Sequence, residues 1–207
     1  MKTNLFVLLV VAVILGGCAT TMSSTWKKSD YEGRSFNKIL VVAESSSKQG
    51  RVNSENTIVE RLQKEGINAT NSLSVFPLNE NVYALSPEEI EDRILKGGYD
   101  GVLISSLADA NSREVREGGG TYAQPVTYRY GRMIRTGYVH VQEPEYYRRE
   151  VTYVLQTQLY DAKDSANKES VVWAGQAEIT DPSSLESGVK DYAKALVKSL
   201  LDSGVIK

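Results

Sequence analysis

Apolar positions recur along this chain with two periods, and the switches between them mark the elements. Residues 38–43, Lys-Ile-Leu-Val-Val-Ala, form a short apolar run rich in β-branched side chains, which fits a central strand covered on both faces. A polar loop over 44–51 follows. Asn53 or Ser54 is then placed to cap a helix whose apolar positions Ile58, Val59 and Leu62 face inward, with Gly66 as its stop. Residues 67–70 make a second short strand. Ser86-Pro87-Glu88-Glu89 starts the next helix, with Ser86 as N-cap, Pro87 in the first turn and Glu89 reaching back to close a capping box. Gly97-Gly98 ends it, and residues 99–105 return as a buried strand. Strand, helix, strand, helix, strand in this order predicts βαβ units with right-handed crossovers.

The second half of the chain alternates with period two. Val151, Tyr153, Leu155, Thr157 and Leu159 lie on one face of a half-buried strand, and Val171, Trp173, Gly175, Ala177 and Ile179 on one face of another. The polar turn at 161–169 joins them as a long antiparallel hairpin. Asp181-Pro182-Ser183 leads into a last helix, in which Ser183 and Glu186 are placed as a capping box. Leu185, Val189, Tyr192, Ala193, Leu196, Val197 and Leu200 form its inward stripe, and Gly204 follows its end. The expected fold class is α/β (α+β): a mixed β-sheet with a βαβ first half, a hairpin second half and helices packed on the sheet.

A third kind of pattern stands at the start. From Leu5 to Leu15 every residue is apolar, Lys2 precedes the run, and Leu15-Gly16-Gly17-Cys18 closes it. The run is about half the roughly 20 residues needed to cross a bilayer, so it reads as a secretory signal over residues 1–17. Leu15, Gly16, Gly17 and Cys18 resemble the lipobox of bacterial lipoproteins. The resemblance implies diacylglycerol attachment to the Cys18 thiol, cleavage before it, and acylation of the new amino group. Cys18 is the only cysteine in the chain, so no intramolecular disulfide forms, and lipidation removes what would otherwise be an awkward free thiol. Residues 18–36 are then the lipidated N-terminus and a tether of Thr, Ser, Lys and Ala, and residues 37–207 a single α/β domain. Ala19 follows the acceptor, where the resembling enteric lipoproteins retained in the inner membrane carry Asp. The expected location is the outer membrane, lipid-anchored and facing the periplasm.

An α/β half followed by a hairpin, with Leu159 to Ala162 at the hairpin turn and Val171-Val172-Trp173 in its second strand, is similar to small uncharacterised envelope lipoproteins. It also resembles the amino-terminal domain of the Tol system's periplasmic propeller protein, although no propeller repeat follows.

Composition narrows the function classes. A formal net charge of −2 argues against nucleic acid as a partner, since such domains are usually basic. Ser45, Arg51 and Asp109 flank the ends of the first strands and are the candidates for a small-ligand or hydrolytic crevice. The P-loop spacing is absent, as is a G-x-S-x-G elbow. His140 is the only histidine, and it alternates with Val139 and Val141 as an exposed strand position would, so no catalytic residue, metal or cofactor is expected.

Residues 111–150 depart from this pattern. They carry six of the chain's 12 tyrosines and seven of its arginines, and no lysine occurs between Lys96 and Lys163. Tyr and Arg concentrate at protein interfaces while Lys is depleted there, because rigid rings and planar guanidinium groups are immobilised at lower cost. Residues 126–130 and 133–141 alternate as strands, with Gly118-Gly119-Gly120 as a flexible entry. Tyr128, Tyr130, Arg132, Arg135 and Tyr138 are the candidate partner-binding residues. The same pattern also suits an irregular hairpin packed on its own sheet. The expected function is that of a non-catalytic envelope component docking a protein or cell-wall partner.

Overall fold

The computed structural model describes residues 20–130, 133–162 and 170–207, with the side chains of Tyr83 and residues 127–137 outside that description. Cys18 and the segment expected to be a signal over residues 1–17 therefore lie outside the described residues, as does most of the turn expected at 161–169. The chain forms two compact units. Unit 1 comprises the described residues up to Ala110 together with Tyr153–Lys207, and unit 2 is Asn111–Thr152.

Unit 1 is built on a six-stranded mixed sheet. Its strands are β1 (Met22–Lys27), β2 (Ile39–Glu44), β3 (Ala69–Asn71), β4 (Gly101–Glu117), β7 (Tyr146–Asp161) and β8 (Val171–Thr180), in the order β1-β8-β7-β4-β2-β3. β4 and β7 are long enough to continue into the residues of unit 2. β2 pairs in parallel with β3 and β4, and β1 pairs antiparallel with β8. Helices α1 (Lys48–Lys64), α2 (Pro87–Lys96) and α3 (Leu185–Asp202) complete it.

Alternation along the strands divides the core by face. Ile39, Val41, Leu103, Leu159, Trp173 and Ala177 pack with Ile58 and Leu62 of α1 and with Leu196, Val197 and Leu200 of α3. Leu40 and Val102 pack with Phe76 and Tyr99, and Ile90 and Ile94 of α2 lie against them. Both faces of β2 are thus covered, as its continuous apolar run requires. At Ser86 the capping box forms as expected: Ser86 Oγ accepts from Glu89 N at 3.2 Å and Glu89 Oε2 accepts from Ser86 N at 2.9 Å.

Four local expectations change. The tether includes strand β1, because the outer edge of β8 offers backbone groups that Met22–Lys27 satisfies. Met22 reaches inward to Trp173 and Gly175, while Lys27 Nζ donates to the Ser203 carbonyl at the end of α3 (3.0 Å). Helix α1 starts at the Ser47 cap, whose Oγ accepts from Gly50 N at 3.2 Å, so the expected loop is only three residues long. The added turn sets Arg51 one helical turn before Glu55. Strand β4 runs to Glu117, so Asp109 sits within a strand and not beyond one. The cap of α3 is Ser184 with Ser187, one residue later than expected, and this register turns Leu185 outward to 71% exposure.

Candidate functional site

Unit 2 is a β-ribbon. β5 (Thr121–Tyr130) and β6 (Met133–Gln142) form a two-stranded antiparallel sheet, in unbroken register from Thr121 opposite Gln142 to Tyr130 opposite Met133. Glycine is required at two of the three positions before it. Gly118 and Gly119 have φ of 79° and 76°, and a Cβ on Gly118 would lie 2.3 Å from the Pro144 carbonyl oxygen, so two segments of the chain pass there at backbone distance. Glu143 N donates to the Gly120 carbonyl at 2.8 Å. Residues 111–117 and 145–152 carry reciprocal ion pairs: Arg113 with Glu150 (2.6 Å), Arg148 with Glu117 (2.8 Å), and Arg116 with Glu145. Tyr146 Oη also donates to Glu117 Oε2 at 2.9 Å. The hydrogen bond from Arg148, aided by that from Tyr146, holds the Glu117 carboxyl below its ordinary pKa, while the bond to Glu117 raises that of Tyr146. Exposed pairs of this kind are screened by solvent and contribute little to stability. They account for part of the arginine content of unit 2.

The aromatic residues of unit 2 whose side chains are described remain open to solvent. Tyr138 is 70% and Tyr147 68% exposed, and Tyr122, Tyr146 and Val139 are exposed as well. The pairing puts Tyr122 and Gln124 on the same face as Val141 and Val139, and Ala123 and Pro125 on the same face as His140 and Tyr138. Of the candidate partner residues, Tyr138 is placed on the exposed ribbon; Tyr128 lies opposite Arg135 and Tyr130 opposite Met133 in register. Arg132 lies outside the described residues, as do the side chains of Tyr128, Tyr130 and Arg135. His140 is exposed in β6. Among the described residues no group of three His, Cys, Asp or Glu is placed to hold a metal ion.

The ligand-crevice candidates have other work. Arg51 Nε donates to the fully buried Glu55 Oε1 (2.9 Å), and its Nη2 donates to Ser72 Oγ (2.5 Å) and the Phe76 carbonyl (2.8 Å). Glu55 also accepts from the backbone N–H groups of Ala43 and Ser72. The guanidinium therefore neutralises a buried carboxylate that ties α1 to β2 and to the segment after β3. Ser45 Oγ accepts from Ser47 N, a turn contact, and Asp109 Oδ1 accepts from Ala110 N. A separate concavity of about 870 Å³ lies beside Tyr99, lined by Lys38, Glu80, Arg93 and Lys96 among others. Its cations already have partners: Lys38 sits 4.1 Å over the Tyr99 ring and donates to the Gly97 carbonyl, Arg93 grips Glu80 through both terminal nitrogens, and Lys96 pairs with Asp92.

The densest polar cluster in unit 1 had no local signal. Arg34 donates from Nε and Nη2 to the two carboxylate oxygens of Asp161 (2.8 and 2.7 Å) and from Nη1 to Asp100 Oδ2 (2.9 Å), and its Cζ lies 4.2 Å from the Phe36 ring centroid. Tyr31 Oη donates to Asp161 at 3.2 Å. Burial raises the Asp100 pKa, but the Lys38 and Asn37 N–H groups and Arg34 outweigh it and hold the carboxyl below the usual range. Burial, then the Asp161 charge, pushes the Tyr31 hydroxyl up to about 12. Gly33 makes this possible: with φ of 75°, it passes so close to Gly204 that a Cβ would overlap the Gly204 carbonyl oxygen. The cluster thereby ties the start of the domain to the ends of β7 and α3. Its members are 66 and 127 residues apart, which is why no spacing motif betrays them.

No family model matches the chain, and no curated protein does. Among solved structures, a PelC dodecamer from Paraburkholderia phytofirmans is similar at 14% identity and a TM-score of 0.44, over 86% of this chain and 95% of that one. Lipoprotein GNA1162 from Neisseria meningitidis is similar at 18% identity and a TM-score of 0.42, over 80% of this chain and 98% of that one. At these scores neither fixes a shared fold or a shared function. Among the described residues no helix is long and apolar enough to cross a membrane.

Proposed function

We propose that the mature protein is a lipid-anchored component of the cell envelope that docks a protein partner through unit 2, without catalysing a reaction. The observation that carries this reading is the solvent exposure of Tyr122, Tyr138, Tyr146 and Tyr147 in a unit where Arg113, Arg116 and Arg148 already pair with its own glutamates. A two-stranded hairpin is marginally stable alone in water, and aromatic side chains left open on both of its faces are the residue type that interfaces bury. Residues 111–152 carry seven arginines against five glutamates, in a chain of net charge −2, so an acidic surface is the complement expected of the partner. Anchoring follows the lipobox at Cys18, and an outer-membrane location follows Ala19 after it.

Photocrosslinking from position 138 in intact cells, followed by mass spectrometry, tests docking. The expected result is a discrete protein adduct that is lost when Tyr128, Tyr130, Arg132 and Arg135 are replaced together. Adducts to cell-wall saccharide alone would transfer the reading to the wall, and the absence of any adduct from either class would refute it. Fractionation tests the anchor: Cys18→Ser should release the chain from membranes. Membrane association that survives Cys18→Ser would remove lipidation as its cause.

A further inference from the structure

The lipidation site and the first strand are close in sequence, and this limits how unit 1 can face the bilayer. Met22 already belongs to the sheet, opposite Ala177 of β8. Four Cα–Cα steps separate it from Cys18, a span of at most about 15 Å. β8 runs antiparallel to β1, so Thr180 lies three residues, or about 10 Å, beyond Met22 toward the side from which the chain enters. Asp181, with φ of 50°, turns the chain there, and Pro182 packs on Gly188 to set the start of α3. The turn that extends past Met22 thus reaches nearly as far as an extended Cys18 can. It ends in Leu185, 71% exposed at the first position of the helix.

We infer that the turn from Asp181 to Leu185 is seated on the membrane surface, with Leu185 in the headgroup layer of the leaflet that holds the lipid on Cys18. The inference rests on the anchor reading above and adds an orientation to it. The occupant is a lipid surface because the chain upstream of Met22 is too short to hold this end away from one. Charge does not attract the turn: Asp181 is acidic, and Glu186 is paired with Lys190 at 2.6 Å. Seating therefore comes from tether length, with an exposed leucine as the apolar contact. Lys27, at the other end of β1, bonds to the C-terminal end of α3, which places Lys207 near the far end of a helix about 27 Å long.

Leu185→Cys and Lys207→Cys each introduce a single free thiol into the lipidated protein, since the Cys18 sulfur is taken up in the thioether to diacylglycerol. Each is labelled with an environment-sensitive dye and reconstituted in phosphatidylethanolamine/phosphatidylglycerol vesicles containing a headgroup nitroxide lipid. The expected result is a blue shift and loss of emission at 185 with little change at 207, abolished by a Gly/Ser linker of about twenty residues placed between Thr21 and Met22. Equal quenching at both positions, or none at 185 in protein that floats with the vesicles, overturns the orientation and leaves the anchor standing. Quenching at 185 that survives the linker overturns tether length as the cause. Protein that does not float overturns the anchor itself, and the orientation with it.

Discussion

Replacing Arg34 with alanine removes a cation that Asp100 and Asp161 share, their side chains being 7% and 9% exposed. The two carboxylates are not equally dependent on it. Asp100 keeps the N–H groups of Asn37 and Lys38 and the Asn37 amide, so its charge stays solvated by the fold. Asp161 loses two hydrogen bonds from Arg34, and the Tyr31 hydroxyl is among the groups it keeps. Breaking a buried ion pair from one side costs about 3–5 kcal/mol. Arg34 is itself about a quarter exposed, which lets water reach the vacated site, so the expected loss is about 2–4 kcal/mol. In a domain of this size it corresponds to a fall in Tm of about 5–15 °C. Urea unfolding followed by circular dichroism measures the loss directly. The pH dependence supplies a second readout. Asp100 is lowered in the folded state, so its contribution is complete above the unfolded carboxylate pKa and is lost as pH falls through the folded value. Arg34→Ala should therefore flatten the acid limb of the stability curve as well as lower its plateau. A variant within about 0.5 kcal/mol of the parent, a change typical of surface substitutions, would show that the cluster is not holding the domain together.

The other expectations concern separate parts of the molecule. Tyr31→Phe should reduce the stability lost between pH 10.0 and about 12, because a hydroxyl raised by folding favours the native state below its unfolded pKa and ceases to do so as pH rises through the folded one; alkaline melts of the two proteins decide it. Ser86→Ala should cost about 1 kcal/mol in urea unfolding through loss of the capping box at α2. Tyr192→Phe should also cost only about 1 kcal/mol, although Tyr192 is buried, because Ser105 and Thr157 still bond each other at 2.8 Å. A loss above about 3 kcal/mol would show that the three hydroxyls act as one unit. Replacing Tyr128, Tyr130, Arg132 and Arg135 together should leave Tm near that of the parent while removing the crosslinked partner; unfolding of that variant would mean that these residues are core.

Elements whose determinants are contiguous were legible in the amino-acid order. The run at Ile39–Glu44 is continuous because a strand between two neighbours must be apolar on both faces, and the capping box at Ser86 is complete within four residues. The stripe of α3 was legible for the same reason, except at its first turn. There Ser183 and Ser184 are equally good caps by sequence; the structure uses Ser184, with Pro182 and Ile179 close against Gly188 and Leu185 outward. The start of α1 shows a related limit. Ser47 and Ser54 are both competent caps, and the buried carboxylate of Glu55, which needs Arg51 one turn earlier, favours the longer helix.

Strand β1 had no such internal signal. Met-Ser-Ser-Thr-Trp-Lys lacks alternation, and it becomes a strand because β8 presents an open row of donors and acceptors beside it. The same holds for the polar sites. Arg51 in a short Ser/Gly/Lys loop has the composition of an anion site, yet the tertiary structure turns its guanidinium onto Glu55, Ser72 and Phe76, a choice made by groups up to 25 residues away. Sequence by itself determined where backbone geometry changes and which faces are apolar, because those depend on neighbours along the chain. Pairing partners of edges and charges were decided only by tertiary structure, because a hydrogen bond or an ion pair is satisfied by proximity in space and leaves no periodic trace along the chain.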